Sequence, residues 1–290
     1  MLPADSYKTV RRRTSSTVAT PGFRDLEHAG WLERAAAYDH FFANITDQSI
    51  APVLDALGEL EGKSFLDIAC GTGRLAGAAA ARGATVEGID FAASMVAIAA
   101  GNFPGCIFTE GDAERLPYGD CRFDLAACAY GLLHFENPEA AVGEAFRVLR
   151  PGGRFAFTVW CGPDQGGELF ALVMGAIEQH GSFDVGLPPA PPMFRFADPG
   201  ASGKVMRAAG FTGVEMDTLL LEWRPPAPDA VFDMIYKSVV RMPMILQAQS
   251  KTARERIHAA ILEGLDFLRR DGEIVIALPA RLFSGVRPGP

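Results

Sequence analysis

Between Lys63 and Trp160 the chain alternates short apolar runs with stretches of helical period, and this alternation narrows the possible folds more than any other feature. The runs are Ser64 to Ala69, Thr85 to Ile89, Cys106 to Glu110, Phe123 to Ala129 and Arg154 to Trp160. Strands that are apolar throughout belong to a parallel sheet covered on both faces, and helices predicted over 74–81, 94–100 and 139–149 supply the covers. The last of these is well signposted. Asn137 is a natural N-cap, Pro138 suits the first helical position, and Pro151-Gly152-Gly153 stops the helix. The class is therefore α/β, a doubly wound sheet.

The flanks carry other patterns. The first 22 residues are polar, end at Pro21-Gly22 and read as a flexible N-terminal arm. From Leu26 to Leu57 the period is helical, with Trp31, Ala35, Tyr38, Phe41 and Phe42 three or four apart, and two helices are expected with a break near Asn44 to Ser49. That aromatic stripe reads either as core packing or as a lid over a ligand. Beyond Trp160 come a helical pattern from Glu168 to Glu178 and a proline-rich stretch, Leu187 to Pro192, that cannot join a sheet. A helix opened by Asp198-Pro199 and closed by Gly210 follows, then a strand from Val214 to Trp223, helical patterns over 229–241 and 251–270, and a closing strand near Ala280 to Val286. The expected organisation is an arm over 1–22, lid helices and ligand-binding core over 23–160, and completion of the sheet over 161–290. Cap inserts are expected at about 162–197 and 224–272.

Composition serves mainly to exclude. With 49% hydrophobic and 21% charged residues in 290, the chain can bury a large core, as one domain or as a domain with a cap. Its 27 Lys and Arg against 35 Asp and Glu give a net charge of −8, with no basic stripe beyond Arg11 to Arg13, so nucleic acid is not an expected partner. No apolar run is long enough to span a membrane, no secretory signal is read, and the expected location is the cytoplasm. The five cysteines lack CxxC spacing and read as reduced thiols. Cys70, Cys128 and Cys161 fall near the ends of three strands; small buried hydrophobes is the reading adopted over a thiol site for a soft metalloid, and no metal site is assigned. The sequence says nothing of oligomeric state.

Chemistry concentrates at three strand ends. Leu66-Asp67-Ile68-Ala69-Cys70-Gly71-Thr72-Gly73-Arg74 is a strand, a glycine turn and a helix start, where the backbone can approach a ligand and free N–H groups meet an anionic group. With Ala76 it also satisfies the loose G-x-G-x-x-G/A pattern of a dinucleotide site. Asp90 closes the next run and can accept from both hydroxyls of a ribose; a helix cap is the plainer reading of the same residue. At the third end, Gly111-Asp112-Ala113, a carboxylate and a backbone N–H can meet an adenine edge. One extended nucleoside across the carboxyl ends of neighbouring strands needs three such stations.

Taken with Gly88-Ile89-Asp90, Phe123-Asp124-Leu125 and Val148-Leu149-Arg150-Pro151-Gly152-Gly153, these motifs resemble the class I S-adenosylmethionine-dependent methyltransferases, specifically the UbiE-like type 11 group, over residues 64–160. The resemblance implies a Rossmann-like seven-stranded sheet in the order 3-2-1-4-5-7-6 with strand 7 antiparallel. It implies S-adenosyl-L-methionine as cofactor, with Gly71 and Gly73 bordering its methionine portion, Asp67 beneath the turn holding the ammonium group, Asp90 on the ribose, and Asp112 with Ala113 at the adenine. Ala69, Phe91, Met95 and Tyr130 complete the implied cofactor-binding set. Transfer then requires in-line alignment, exclusion of water and sometimes a base.

His134, just past the fourth strand, is the candidate base, set against a structural histidine bonded to a loop; Tyr130 is a candidate proton shuttle, set against a ring lining the pocket. Phe194, Phe196, Phe232, Met234, Tyr236, Met242 and Met244 in the inserts point to a small, partly apolar methyl acceptor; Arg195 and Arg241 are available for a carboxylate, set against the plainer role of solvated surface charge. The activity implied is methyl transfer to oxygen, carbon or nitrogen of a small molecule. Alternatives from other classes are a cofactor-binding protein that catalyses a non-methylating reaction or serves as a regulatory module, and an NAD-dependent oxidoreductase resting on the Ala76 coincidence.

Overall fold

The apolar runs become strands β1 (Ser64–Ile68), β2 (Thr85–Asp90), β3 (Ile107–Glu110), β4 (Phe123–Ala129) and β5 (Leu149–Trp160) in a computed structural model that describes residues 21–289. Two later strands, β6 (Thr212–Leu219) and β7 (Ala280–Val286), join them. The sheet order is 3-2-1-4-5-7-6 as expected. The first five strands pair in parallel, and β7 runs antiparallel between β5 and β6, with Ala280 opposite both Trp160 and Leu219.

Strand alternation sends neighbouring side chains to opposite cores. Leu66, Ile68 and Ile89 point to a layer with Val142, Ala145 and Val148 of the helix Pro138–Val148. Phe65, Val86 and Leu125 face the other way, onto Leu54 and Leu57 of Ile50–Leu57 and Ala76 and Ala79 of Arg74–Ala81. Nearly all are under one-twentieth exposed, and each large side chain so buried contributes about 1.5–3 kcal/mol. Asn137 caps its helix by accepting from Ala140 N–H at 3.2 Å, and Asp198 caps Pro199–Ala209 by accepting from Ala201 N–H at 2.7 Å.

Several boundaries differ from the sequence reading. The break expected near Asn44 to Ser49 is instead a bent but helical stretch, Ala43–Thr46 followed by a tight turn over Asp47–Ser49. Buried Ile45 pins it, and the hydroxyls of Thr46 and Ser49 donate to carbonyls three residues back. The strand expected to reach Trp223 ends at Leu219; Glu222–Trp223 leaves the sheet to pair with Ile276–Ala277. β5 starts early because Leu149 pairs with Phe123 ahead of an irregularity that holds Pro151-Gly152-Gly153. The helix expected over 229–241 ends at Ser238, a further helix that the sequence reading did not expect covers Arg241–Gln247, and the last helix, Lys251–Phe267, stops short because Arg269–Arg270 turns back on Glu273–Ile274. Of the arm expected over 1–22, residues 1–20 lie outside the described residues.

The inserts build a second apolar body from Glu168–His180, Ala230–Ser238, Arg241–Gln247 and Lys251–Phe267, and it takes in Tyr130 and Trp160 from the tips of β4 and β5. The first helix, Phe23–Phe41, packs against Ala230–Ser238 of this body and against Ala93–Asn102, the helix that follows β2. Its Trp31 and Ala35 pack with Ala92, Met95 and Val240. A Cβ on Gly30 would stand 2.4 Å from Val240, so only glycine allows the helix this close. Among the described residues, no helix is long and apolar enough to cross a membrane.

Candidate active site

The turn after β1 is built by backbone strain. Ala69, Gly71 and Gly73 all have positive φ (55°, 52° and 84°), which folds the chain sharply into Arg74–Ala81. At Gly73 space decides as well, because a Cβ would meet Phe108 at 2.9 Å. Asp67 sits beneath, 1% exposed, and accepts from Ala76 N–H at 3.0 Å; burial pushes its carboxyl up to about 8. Asp90, at the end of β2, accepts from Gly71 N–H and from Ala92 N–H, each at 2.9 Å. It thus ties two strand tips together, and burial raises its carboxyl above the ordinary range.

At the third tip, Asp112 accepts from Glu114 N–H at 2.9 Å and pairs with Arg24 of the first helix at 2.7 Å. The paired carboxylate raises the Arg24 guanidinium in turn. At the fourth, Tyr130 (φ 58°) stacks on Trp160 with ring centroids 4.1 Å apart. Its hydroxyl is buried near Ser49 and Thr158 without a well-formed hydrogen bond among the described residues, and burial raises it. In the second turn of the first helix, Glu27 meets His134 Nδ1 at 2.7 Å through Oε2, while Trp31 stands edge-on to the imidazole at 5.0 Å.

All of these surround one hollow of about 440 Å³. Ala69, Gly71, Asp90, Phe91, Met95, Asp112, Ala113, Tyr130 and His134 line it, whereas Asp67 and Gly73 support it from behind. Of the insert residues singled out in the sequence, Phe194, Met234, Arg241 and Met242 reach the hollow. The others are drawn elsewhere by better partners. Phe196 is buried in the sheet-side core, Phe232 packs on His258, Tyr236 bonds to His258 at 2.8 Å, and Met244 packs behind the first helix. Arg195 pairs with Glu139 and is not a carboxylate clamp for this site; Arg241 points its guanidinium at the Pro188 carbonyl, 2.6 Å away. The three thiols near the strand ends do not gather, since among the described residues no cluster of three His, Cys, Asp or Glu can hold an ion.

The sequence reading missed Arg24, Glu27, Trp160, Phe170 and Met174, which line the same hollow. Glu27 had a usable signal: with Phe23, Gly30 and Trp31 it lies on the buried face of its helix, and an acid on an apolar stripe needs a reason.

Residues 66–157 match the family model described as a methyltransferase domain. The chain is 36% identical over 167 residues to a demethylmenaquinone methyltransferase of Deinococcus radiodurans, an alignment covering 51% of this chain and 68% of that protein. The chain belongs to the UbiE-like, type 11 group of class I S-adenosylmethionine-dependent methyltransferases. A demethylmenaquinone methyltransferase of Beutenbergia cavernae is 39% identical over 110 residues, 38% of this chain and 46% of that one. The chain thus spans about half the length of the first curated relatives it matches. Among solved structures, a Haemonchus contortus phosphoethanolamine N-methyltransferase 2 in complex with S-adenosyl-L-methionine has a TM-score of 0.57 at 19% identity, covering 93% of this chain and 61% of that one; the likeness is of fold.

S-adenosyl-L-methionine is the cofactor of this methyltransferase family, and the residues present fit it. Asp90 commits one hydrogen bond per oxygen to the backbone, leaving lone pairs for hydroxyls, and Gly71 with Thr72 opens a helix N-terminus to the hollow. Family membership also resolves the glycine turn in favour of this cofactor over a dinucleotide. The first helix is latched over the turn: Arg74 bonds to Asp39 at 2.9 Å and Asp47 at 2.7 Å, and Thr72 donates to Asp39 at 2.8 Å.

Proposed function

We propose that this chain is an S-adenosyl-L-methionine-dependent methyltransferase acting on a small, partly apolar acceptor. The observation that carries the reading is that three strand tips and an apolar recess share one hollow. Gly71 and Gly73 would border the methionine portion, with Asp67 behind the turn; Asp90 would hold the ribose, Phe91 and Met95 the adenine face, and Asp112 with Ala113 the adenine edge, while Ala69 and Tyr130 shape the floor.

Bound there, the cofactor supplies an activated methyl group on a sulfonium, so the protein needs no covalent chemistry of its own. Its residues align the acceptor, exclude water and accept a proton. Phe170, Met174, Phe194 and Met242 give the acceptor an adaptable apolar wall. His134 is the base within that wall. The names of the relatives make a quinol-like ring the first acceptor to try, at an oxygen or a ring carbon.

Calorimetry with S-adenosyl-L-methionine, followed by mass spectrometry of a small-molecule extract incubated with methyl-labelled cofactor, tests the proposal. Binding and a labelled small molecule are expected. No binding at millimolar cofactor overturns the reading, and binding without any labelled product turns it into a cofactor-binding module.

A further inference from the structure

Glu27 is 3% exposed and its only partner among the described residues is His134 Nδ1, although the two are 107 residues apart in the chain. A buried carboxylate is costly unless it is paired and hydrogen-bonded, so the pair is a committed arrangement. A carboxylate is only an acceptor; the neutral imidazole it contacts therefore carries its proton on Nδ1. That leaves Nε2 with a free lone pair, and among the described residues nothing hydrogen-bonds to it. Trp31 stands against the ring edge-on and hinders rotation. The other charged groups around the hollow are Asp90 from β2, Arg24 with Asp112 and Glu114, Arg74 with Asp47, and Arg241 from the cap; none takes the place of Glu27 at Nδ1.

We propose that Glu27 is a positioning residue for methyl transfer: it holds His134 in the tautomer whose Nε2 accepts a proton from the acceptor. The inference rests on the methyl-transfer reading. In the step, the O–H or N–H proton of the acceptor passes to Nε2. The bonding pair stays on the acceptor atom and forms the new bond to the methyl carbon, and the pair of the broken C–S bond stays on sulfur. Nε2 then releases its proton to solvent. Because Glu27 rides on Phe23–Phe41, the base is set only when that helix is seated on the strand tips through Arg24 and Asp39. Acceptors must then bear a removable proton, which excludes tertiary amines and thioethers as substrates that need this dyad.

The test has a readout that does not depend on turnover. Nitrogen-15 NMR of imidazole-labelled protein, with His134→Gln to assign the signal, reports the tautomer directly in wild type, Glu27→Ala and Glu27→Gln. Nδ1–H is expected in wild type and in Glu27→Gln, whose side-chain carbonyl still accepts, while Glu27→Ala should revert to Nε2–H. Label incorporation into the extract should fall about 100-fold or more in Glu27→Ala, in line with loss of general-base catalysis, and recover at least in part in Glu27→Gln. Cofactor affinity by calorimetry should stay within about twofold. An Nε2–H tautomer in wild type, an unchanged tautomer in Glu27→Ala, or turnover and cofactor affinity falling in parallel overturns the proposal. Wild type that binds no cofactor or labels no product sinks the methyl-transfer reading and the dyad's role with it, whatever the tautomer. Should Glu27→Ala not fold, Glu27→Asp, too short to reach, replaces it with the same expectations.

Discussion

The two walls of the hollow are made in opposite ways. The wall of β-strand tips is mostly backbone, with positive-φ turns at Ala69, Gly71 and Gly73 and carboxylates that bond to main-chain N–H groups. The facing wall is side chains from Phe23–Phe41, Glu168–His180 and Ala230–Gln247, segments far apart in the chain that meet only in the folded molecule. A backbone wall tolerates few replacements because its geometry demands particular residues, whereas a side-chain wall can be repacked while volume is kept. The first suits a ligand shared by a whole family; the second suits an acceptor that differs between members.

The contrast can be broken experimentally. The largest effect is expected at Asp90: Asp90→Ala removes one charge-assisted bond to the turn, from Gly71 N–H, and one from Ala92 N–H, and should weaken S-adenosyl-L-methionine binding by about tenfold or more, measured by calorimetry. Undiminished affinity would show that the backbone wall is not where the cofactor sits. Phe194→Ala, on the other wall, should raise the acceptor KM roughly 5- to 10-fold and leave cofactor affinity alone, since a truncated apolar contact removes about 1–1.5 kcal/mol of binding. If cofactor affinity drops instead, the division between walls is wrong.

Arg24→Ala straddles the two. Its pair with Asp112 is well exposed, so cofactor affinity should change only about two- to threefold. A final effect is on stability. Asp67 holds its proton to about pH 8 in the fold but releases it near the ordinary carboxylate value of 3.8 when unfolded, so the native state binds more protons across that window and loses stability as pH rises. Asp67→Asn keeps an acceptor for Ala76 N–H without titrating, and its melting temperature should gain on wild type by roughly 5–10 °C between about pH 5 and pH 8 in scanning calorimetry. A constant difference across that range would count against a buried, protonated Asp67.

Legibility follows the same division. Helix Arg74–Ala81 and strand Ala280–Val286 fall where the pattern puts them, because glycine, proline and caps act on immediate neighbours. Gly71, Asp90 and Asp112 do share a hollow, since each ends a strand and parallel strands align their ends. Glu27 and His134 show what is not local: their meeting depends on how a helix docks, which no spacing encodes. Phe196 and Arg195 illustrate the converse, since residues of the right chemistry in the right insert were claimed by nearer partners.

The place of β7 has a consequence for biosynthesis. Inserted between β5 and β6, it is the strand on which β6 depends for every ladder bond to the rest of the sheet. On the ribosome, β6 is therefore made some sixty residues before its anchor (Leu219 to Ala280) and must wait with both edges unpaired while the cap helices emerge. Until residues 280–286 leave the exit tunnel, β5 and β6 each expose an open edge, a period in which a holding chaperone would have something to grip.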